Sequence, residues 1–188
     1  KGAIYSESGL DIPSVRKYKN ATRDLKSVYC EDSVCNILEH QTLSNEELLT
    51  LDVDMLIPAA LENQITEVNA NAVKAKYVFE VANGPIASGA DEILEENGVI
   101  IIPDILANAG GVTVSYFEWI QNRTGHYWTL EKVNKRLKQK MVQETKNVLE
   151  VSQQESVSIR TAAYIHALNR LEEAVNAGGT KNFYTNGI

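Results

Sequence analysis

A chain of 188 residues, 44% hydrophobic and 23% charged, is long enough for one globular core or slightly more. With 18 Lys and Arg against 25 Asp and Glu, the net charge is −7 and the pI about 5.0, so the sequence offers no broad basic surface for a phosphate backbone and nucleic acid is not an expected partner. No apolar run approaches the roughly 20 residues that span a bilayer and Lys1-Gly2-Ala3 opens no signal-peptide pattern, so a soluble, cytoplasmic protein with no membrane partner is expected.

Lys1 to Tyr5 reads as the end of a strand running into a turn at Ser6 to Gly9, which would put residue 1 in the middle of a fold. Asp11 is placed to cap a short helix with Pro13 in its first turn and Val15 and Tyr18 on its apolar side. From Asn20 to His40 the pattern is poor, and a helix-and-loop excursion is expected. Cys30, Cys35 and His40 raise a metal site or a disulfide. The spacing fits no familiar zinc arrangement and no fourth ligand is near, so free thiols and no metal are the preferred reading.

Ser44-Asn45-Glu46-Glu47 matches a capping box, with Leu48, Leu49 and Leu51 supplying an apolar side. Val53 to Ile57 is a strand ended by Pro58. The Ala59-Ala60 pair beyond it carries almost no side chain, which suits backbone contact with a flat or bulky ligand and equally suits a tight turn. Thr66 to Ala75 reads as a short helix with Val68, Ala72 and Val73 inward. Tyr77 to Val81 is the next strand, and Ala82-Asn83-Gly84-Pro85 leaves an Asn at its mouth.

Ala90 to Asn97 is helical and stopped by Gly98 as a left-handed residue. Val99 to Ile102 is short, β-branched and ended by Pro103, so it reads as a buried strand. The stretch from Pro103 to Gly111 then reads as a polar loop in which Gly110-Gly111 allows a tight turn and a close approach. A helix follows, with Val112, Tyr116, Trp119 and Ile120 at helical spacing. Its free N–H groups could meet an anion beside Asn108, Thr113 and Ser115.

After Thr124-Gly125, Thr129 caps a long helix with Leu130, Val133, Leu137, Met141, Val148 and Val151 on one side. Lys132, Lys135, Arg136, Lys138 and Lys140 read as its solvated face. His126 and His166 lack a partner at a telling spacing and read as structural. A last helix, about Ile159 to Ala177, has Ala162, Ala163, Ile165, Leu168, Leu171 and Val175 inward. Gly178-Gly179 ends it, and a polar tail from Asn182 to Ile188 follows.

Near-continuously apolar strands separated by helical segments predict an α/β fold: an incomplete, Rossmann-like doubly wound parallel sheet with C-terminal helices. Ligands of such sheets sit outside the carboxyl ends of the strands. Pro58-Ala59-Ala60, Ala82-Asn83-Gly84 and Asn108-Ala109-Gly110-Gly111 all follow strand ends and would line one crevice. No G-x-G-x-x-G occurs, so the glycine turn that seats a pyrophosphate is lacking.

The run Asn108 to Trp119 (Asn-Ala-Gly-Gly-Val-Thr-Val-Ser-Tyr-Phe-Glu-Trp) resembles the signature of the glutamate dehydrogenases. Three further segments agree with that family in order: Lys1-Gly2-Ala3-Ile4-Tyr5 through Pro13, Asp54 to Leu61, and Glu80-Val81-Ala82-Asn83-Gly84-Pro85. The resemblance runs nearly end to end, but to the back half of such an enzyme. It implies a partial dinucleotide-binding domain over 1–150 without its first βαβ unit, and over 151–188 a C-terminal helix and tail packing back on it.

What the resemblance implies chemically is NAD- or NADP-dependent oxidative deamination of L-glutamate to 2-oxoglutarate and ammonia, with hydride passing from the α-carbon to the nicotinamide. Ala59, Ala60, Ala82, Asn83 and Asn108 match cofactor-side positions, Ser115 matches the position that binds a glutamate carboxylate, and Val112 lines the pocket beside it. The family's catalytic lysine and aspartate belong to an earlier substrate domain. No catalytic residue is therefore expected here, and this chain alone should not turn over.

Related leucine, valine and phenylalanine dehydrogenases share Asn-Ala-Gly-Gly-Val, but Thr113 to Trp119 resembles the glutamate enzymes, and a hydroxyl at Ser115 suits a second carboxylate. The resemblance also implies a homo-oligomer, usually a hexamer. It leaves NAD against NADP open, because the residues reading the ribose lie upstream. Two alternatives are a non-catalytic truncated nucleotide-binding or assembly module and a fragment of a full-length enzyme.

Overall fold

The computed structural model describes residues 2–31 and 34–177. These fall into two compact units, one running to residue 52 with 72–74 added, the other formed by 53–71 and the chain from 75 onward.

In the first unit, strand β1 (Ala3–Tyr5) pairs antiparallel with β4 (Gln41–Leu43), in a register that sets Ala3 against Leu43. Helix α1 (Ile12–Thr22) begins as predicted, the Asp11 carboxylate accepting the Ser14 N–H at 3.0 Å. The excursion expected between Asn20 and His40 is instead an antiparallel pair, β2 (Val28–Glu31) with β3 (Val34–Ile37). Its register places Cys30 opposite Cys35, Cα atoms 4.0 Å apart, and the two form a disulfide, so the free-thiol reading is corrected. Directly opposed antiparallel positions bring side chains close enough to bridge, which a spacing of five residues hides when no antiparallel pair is foreseen. The capping box is present: Ser44 Oγ accepts the Glu47 N–H, the Glu47 carboxylate accepts the Ser44 N–H, and α2 (Asn45–Leu49) follows.

The second unit holds a three-stranded parallel sheet in the order β5 (Met55–Leu56), β6 (Tyr77–Phe79), β7 (Ile100–Ile102). Met55 pairs with Tyr77, and Tyr77 with Ile100. Ile65, Val78, Ala90, Leu94 and Ile101 are buried around it. This is the predicted parallel α/β arrangement. Helix α3 (Ala90–Glu96) lies between β6 and β7 in sequence, and Gly98 after it has a left-handed φ of 78°.

The helix predicted over Thr66 to Ala75 is reduced to one 3₁₀ turn at Ala70–Ala72. Asn69 explains why: its side chain accepts the Thr66 N–H at 2.8 Å and donates to the Gln64 carbonyl at 3.0 Å, bonds that compete with a helical backbone. Val68, expected inward, is 94% exposed.

Among the described residues the unit is completed by α4 (Asp104–Ala107), α5 (Gly110–Thr124), α6 (Leu130–Glu155) and α7 (Ile159–Ala177). Thr129 caps α6 by accepting the Lys132 N–H. Leu106, Val148, Ala162 and Ala163 form a buried cluster, with Ile102, Val151, Val157 and Ile159 packed against it. The small pair Ala162-Ala163 lets α7 sit tightly against its neighbours.

Two predicted apolar sides are only half right. Leu130 on α6 and Leu168, Leu171 and Val175 on α7 are exposed. The basic face of α6 is also not simply solvated, since Arg136 lies over the Trp128 ring at 4.0 Å and Lys140 pairs with Glu144. The predicted Gly178-Gly179 stop and polar tail lie outside the described residues.

Candidate functional site

The carboxyl ends of the three parallel strands are tied together by the backbone. The Pro58 carbonyl accepts the N–H groups of Val81 (3.1 Å) and Ala82 (2.9 Å), and Glu80 N–H donates to the Ile102 carbonyl at 3.1 Å. Gly84 closes the second mouth with a φ of 53°, a conformation that favours glycine. Asn63 N–H donates to the Gly84 carbonyl, linking the segment after β5 to the same mouth.

The two asparagines singled out from the sequence meet here. Asn108 Nδ2 donates to Asn83 Oδ1 at 2.7 Å and more weakly to the Val81 carbonyl at 3.3 Å. Ala59, Ala60 and Asn83 are exposed; Ala82 and Asn108 are half-buried. The remaining polar edges of the paired amides and the small residues around them leave donors and acceptors on an open strand-end surface.

The stretch before α5 departs from the predicted loop. Asp104–Ala107 forms a helical turn that leads almost directly into α5, and Gly110 and Gly111 are the first residues of that helix, with no left-handed φ. Gly111 N–H donates to the Asn108 carbonyl at 3.3 Å and Thr113 N–H to the Ala109 carbonyl at 3.1 Å, so the helix start is not the open set of donors expected. Pro103 and the acidic Asp104 favour a helical first turn here, which wins over the turn propensity of the glycine pair. The expectation of room at this point stands: a Cβ on Gly111 would meet no atom within 4 Å beyond its own neighbourhood.

Val112, 70% exposed, and Ser115 share the outer face of α5 with Tyr116 and Trp119, whose rings stack with centroids 5.8 Å apart. The Ser115 hydroxyl donates to the Gly111 carbonyl at 3.2 Å and remains exposed. Phe117 faces the other way, against Trp128 at 5.5 Å.

Beneath the mouths lies a polar network that pattern reading missed. Glu80 is fully buried at the end of β6, and its Oε2 accepts the Asp104 N–H and an Arg160 Nη2 donor, both at 2.8 Å. Arg160 also donates to Asp91 at 2.9 Å and lies 3.5 Å from Asp104. Asp104 in turn accepts the Gly84 N–H at 2.9 Å and the Ile105 N–H at 2.7 Å. Burial pushes the Glu80 carboxyl above its ordinary value despite these donors. Burial also opposes the Arg160 charge, but the Glu80 and Asp91 carboxylates outweigh it and hold its pKa above the usual value. The one available signal was a charge out of place: Glu80 inside the apolar run Tyr77 to Val81.

Elsewhere, a cavity of about 210 Å³ lies among α4 to α7, lined by residues including Thr113, Met141, Glu144, Val148 and His166. Among the described residues no group of three or more His, Cys, Asp or Glu side chains is arranged to hold a metal ion, and no helix is long and apolar enough to cross a membrane.

The family model for glutamate/leucine/phenylalanine/valine dehydrogenases matches residues 1–179. The chain belongs to this family. It is 58% identical over 184 residues to an NADP-specific glutamate dehydrogenase from Synechocystis sp., covering 98% of this chain and 43% of that protein. It is 44% identical over 178 residues to an NAD-specific glutamate dehydrogenase from Staphylococcus aureus, covering 95% of this chain and 41% of that protein. Among solved structures, a hetero-hexameric glutamate dehydrogenase from Thermus thermophilus in a leucine-bound form superimposes with a TM-score of 0.78 at 29% identity, over 92% of this chain and 38% of that one. The chain thus spans about two fifths of the length of the curated relatives it matches.

Proposed function

We propose that this chain is the cofactor-binding, C-terminal portion of a glutamate dehydrogenase that oxidatively deaminates L-glutamate to 2-oxoglutarate and ammonia with NAD or NADP. The observation that carries this reading is the Asn83–Asn108 hydrogen bond, which joins the mouths of two adjacent parallel strands where ligands of open α/β sheets bind. The relatives' names support glutamate as substrate and leave both dinucleotides in play.

The residues present fit such a cofactor. Exposed Ala59 and Ala60 leave the backbone accessible, Ala82 adds little bulk, Asn83 and Asn108 offer amide edges, and Gly111 opens onto unfilled space. When bound, the nicotinamide accepts the hydride leaving the glutamate α-carbon. Asn83 and Asn108 orient its ribose end, Val112 bounds the substrate pocket, and the Ser115 hydroxyl donates to a glutamate carboxylate. Proton transfer falls to groups outside this chain, which by itself does not turn over.

The partition into a dinucleotide-binding part, 1–150, and a C-terminal part, 151–188, belongs to the same proposal. So do a cytoplasmic location and assembly as a homo-oligomer, a hexamer by analogy with the six-subunit Thermus enzyme.

The deciding experiment is an intact mass together with NAD(P)H absorbance assays on glutamate, leucine, valine and phenylalanine, made on the protein as its gene encodes it. A mass well above 20.8 kDa with glutamate-dependent reduction is expected. Faster turnover of leucine or phenylalanine would move the assignment to another branch of the family. A 20.8 kDa protein that binds neither dinucleotide would make it a non-catalytic module.

A further inference from the structure

We infer that Arg160, in the first turn of α7, is a positioning residue that sets the nicotinamide end of the crevice from below. The inference rests on the dinucleotide reading above. Arg160 contacts three acids on three elements: Glu80 at the end of β6, Asp91 in the first turn of α3, and Asp104 at the start of α4.

Two of these acids are roots of the crevice. Glu80 opens the segment that carries Asn83, and Asp104 opens the turn that ends at Asn108. They are joined to each other by the Asp104 N–H to Glu80 bond, and Asp104 closes the Asn83 loop by accepting the Gly84 N–H. A single guanidinium therefore fixes both asparagine-bearing loops at their bases, and the 2.7 Å bond between the asparagines closes the ring at the top.

Stability alone is a poor reason for this arrangement. Glu80 Oε1 and Arg160 Nε are buried without hydrogen-bond partners, and an apolar substitute of similar volume often stabilises as well as a buried ion pair. What apolar packing cannot do is fix direction. A planar guanidinium with several donors holds carboxylates on three elements in one relative orientation, which a single ammonium cannot match.

The test compares ligands in the protein as its gene encodes it, with Arg160→Lys and, as a route that leaves α7 intact, Asp104→Asn. Dissociation constants are measured for NADH and NADPH and for the nicotinamide-free fragments, ADP-ribose and its 2′-phosphate. The expected result is a loss of about tenfold for the reduced dinucleotide while the fragment stays within about twofold, the worth of roughly one oriented hydrogen bond. A purely structural role would weaken both ligands equally, and that result, or no change in either, overturns the inference while leaving the function intact. Wild-type protein that binds neither dinucleotide overturns the functional reading and this inference with it. Should Arg160→Lys fail to fold, the ratio measured for Asp104→Asn decides alone.

Discussion

Glu144 gives the α6–α7 pairing a defined acid sensitivity. It lies on α6 at 18% side-chain exposure, with Lys140 one turn before it and His166 Nε2 and Arg170 Nη1 reaching it from α7 at 2.6 and 3.2 Å. Burial alone would push its carboxyl up. The hydrogen bonds from Lys140 and His166, with the charges of Lys140 and Arg170, outweigh burial and hold it at about 2 against an ordinary 4.5. A carboxylate depressed in the folded state contributes stability above its unfolded value and loses it as pH falls through the folded one. The window therefore runs from pH 4.5 down to about 2. The full shift corresponds to about 3 kcal/mol at neutral pH, of which about 2 kcal/mol is gone by about pH 3. Urea unfolding followed by tryptophan fluorescence, at steps between about pH 7 and 3, would compare wild type with Glu144→Gln. Wild type should be the more stable by about 3 kcal/mol at pH 7, with the gap shrinking to about 1 kcal/mol at pH 3. A gap that stays constant across that range would refute the assignment of the acid sensitivity to Glu144.

Three further outcomes are expected. Glu80→Ala should cost about 3 kcal/mol in the same unfolding assay, because it strips an acceptor from the Asp104 N–H and one carboxylate from buried Arg160; a cost below about 0.5 kcal/mol would show the network to be dispensable. Ser115→Ala should raise the glutamate KM about tenfold with stability within about 0.5 kcal/mol, since the hydroxyl's only described bond is back to its own helix, and an unchanged KM removes Ser115 from the substrate site. Thiol labelling of denatured protein with peptide mapping should leave Cys30 and Cys35 unlabelled before reduction and label both after it; labelling of both before reduction would contradict the Cys30–Cys35 pairing.

The features legible in the sequence were those decided within a few residues. Asp11, Ser44 with Glu47, and Thr129 act as caps because the donors they satisfy are three residues away. The three parallel strands were legible because each is a short apolar run, ended by Pro58, by Ala82-Asn83-Gly84 or by Pro103. The Cys30–Cys35 bridge was not, because it depends on the antiparallel register of β2 and β3, which no local apolar pattern announces. The 3₁₀ turn at Ala70 was hidden because a spacing of apolar residues says nothing about what the Asn69 amide will bond.

The candidate site divides along the same line. Asn83 stands out between alanine and glycine just after β6, Asn108 stands out between alanines before the Gly110-Gly111 pair, and the pairing of β6 with β7 together with the α4 turn brings them into contact. Arg160 lies 80 residues from Glu80, and no window used to read periodicity contains both. Only Glu80 is visible locally, as a charge inside the apolar run Tyr77 to Val81, while Arg160 sits at a helix start with no such mark. A charge inside an apolar strand is best read as calling for an opposite charge elsewhere in the unit, since a charge with no water around it needs one. Leu168 and Leu171 teach the converse. At about 100° per residue they lie on the side of α7 away from Ala162, so the residues expected inward do not share one face, and it is the alanine side that is buried while the two leucines are exposed.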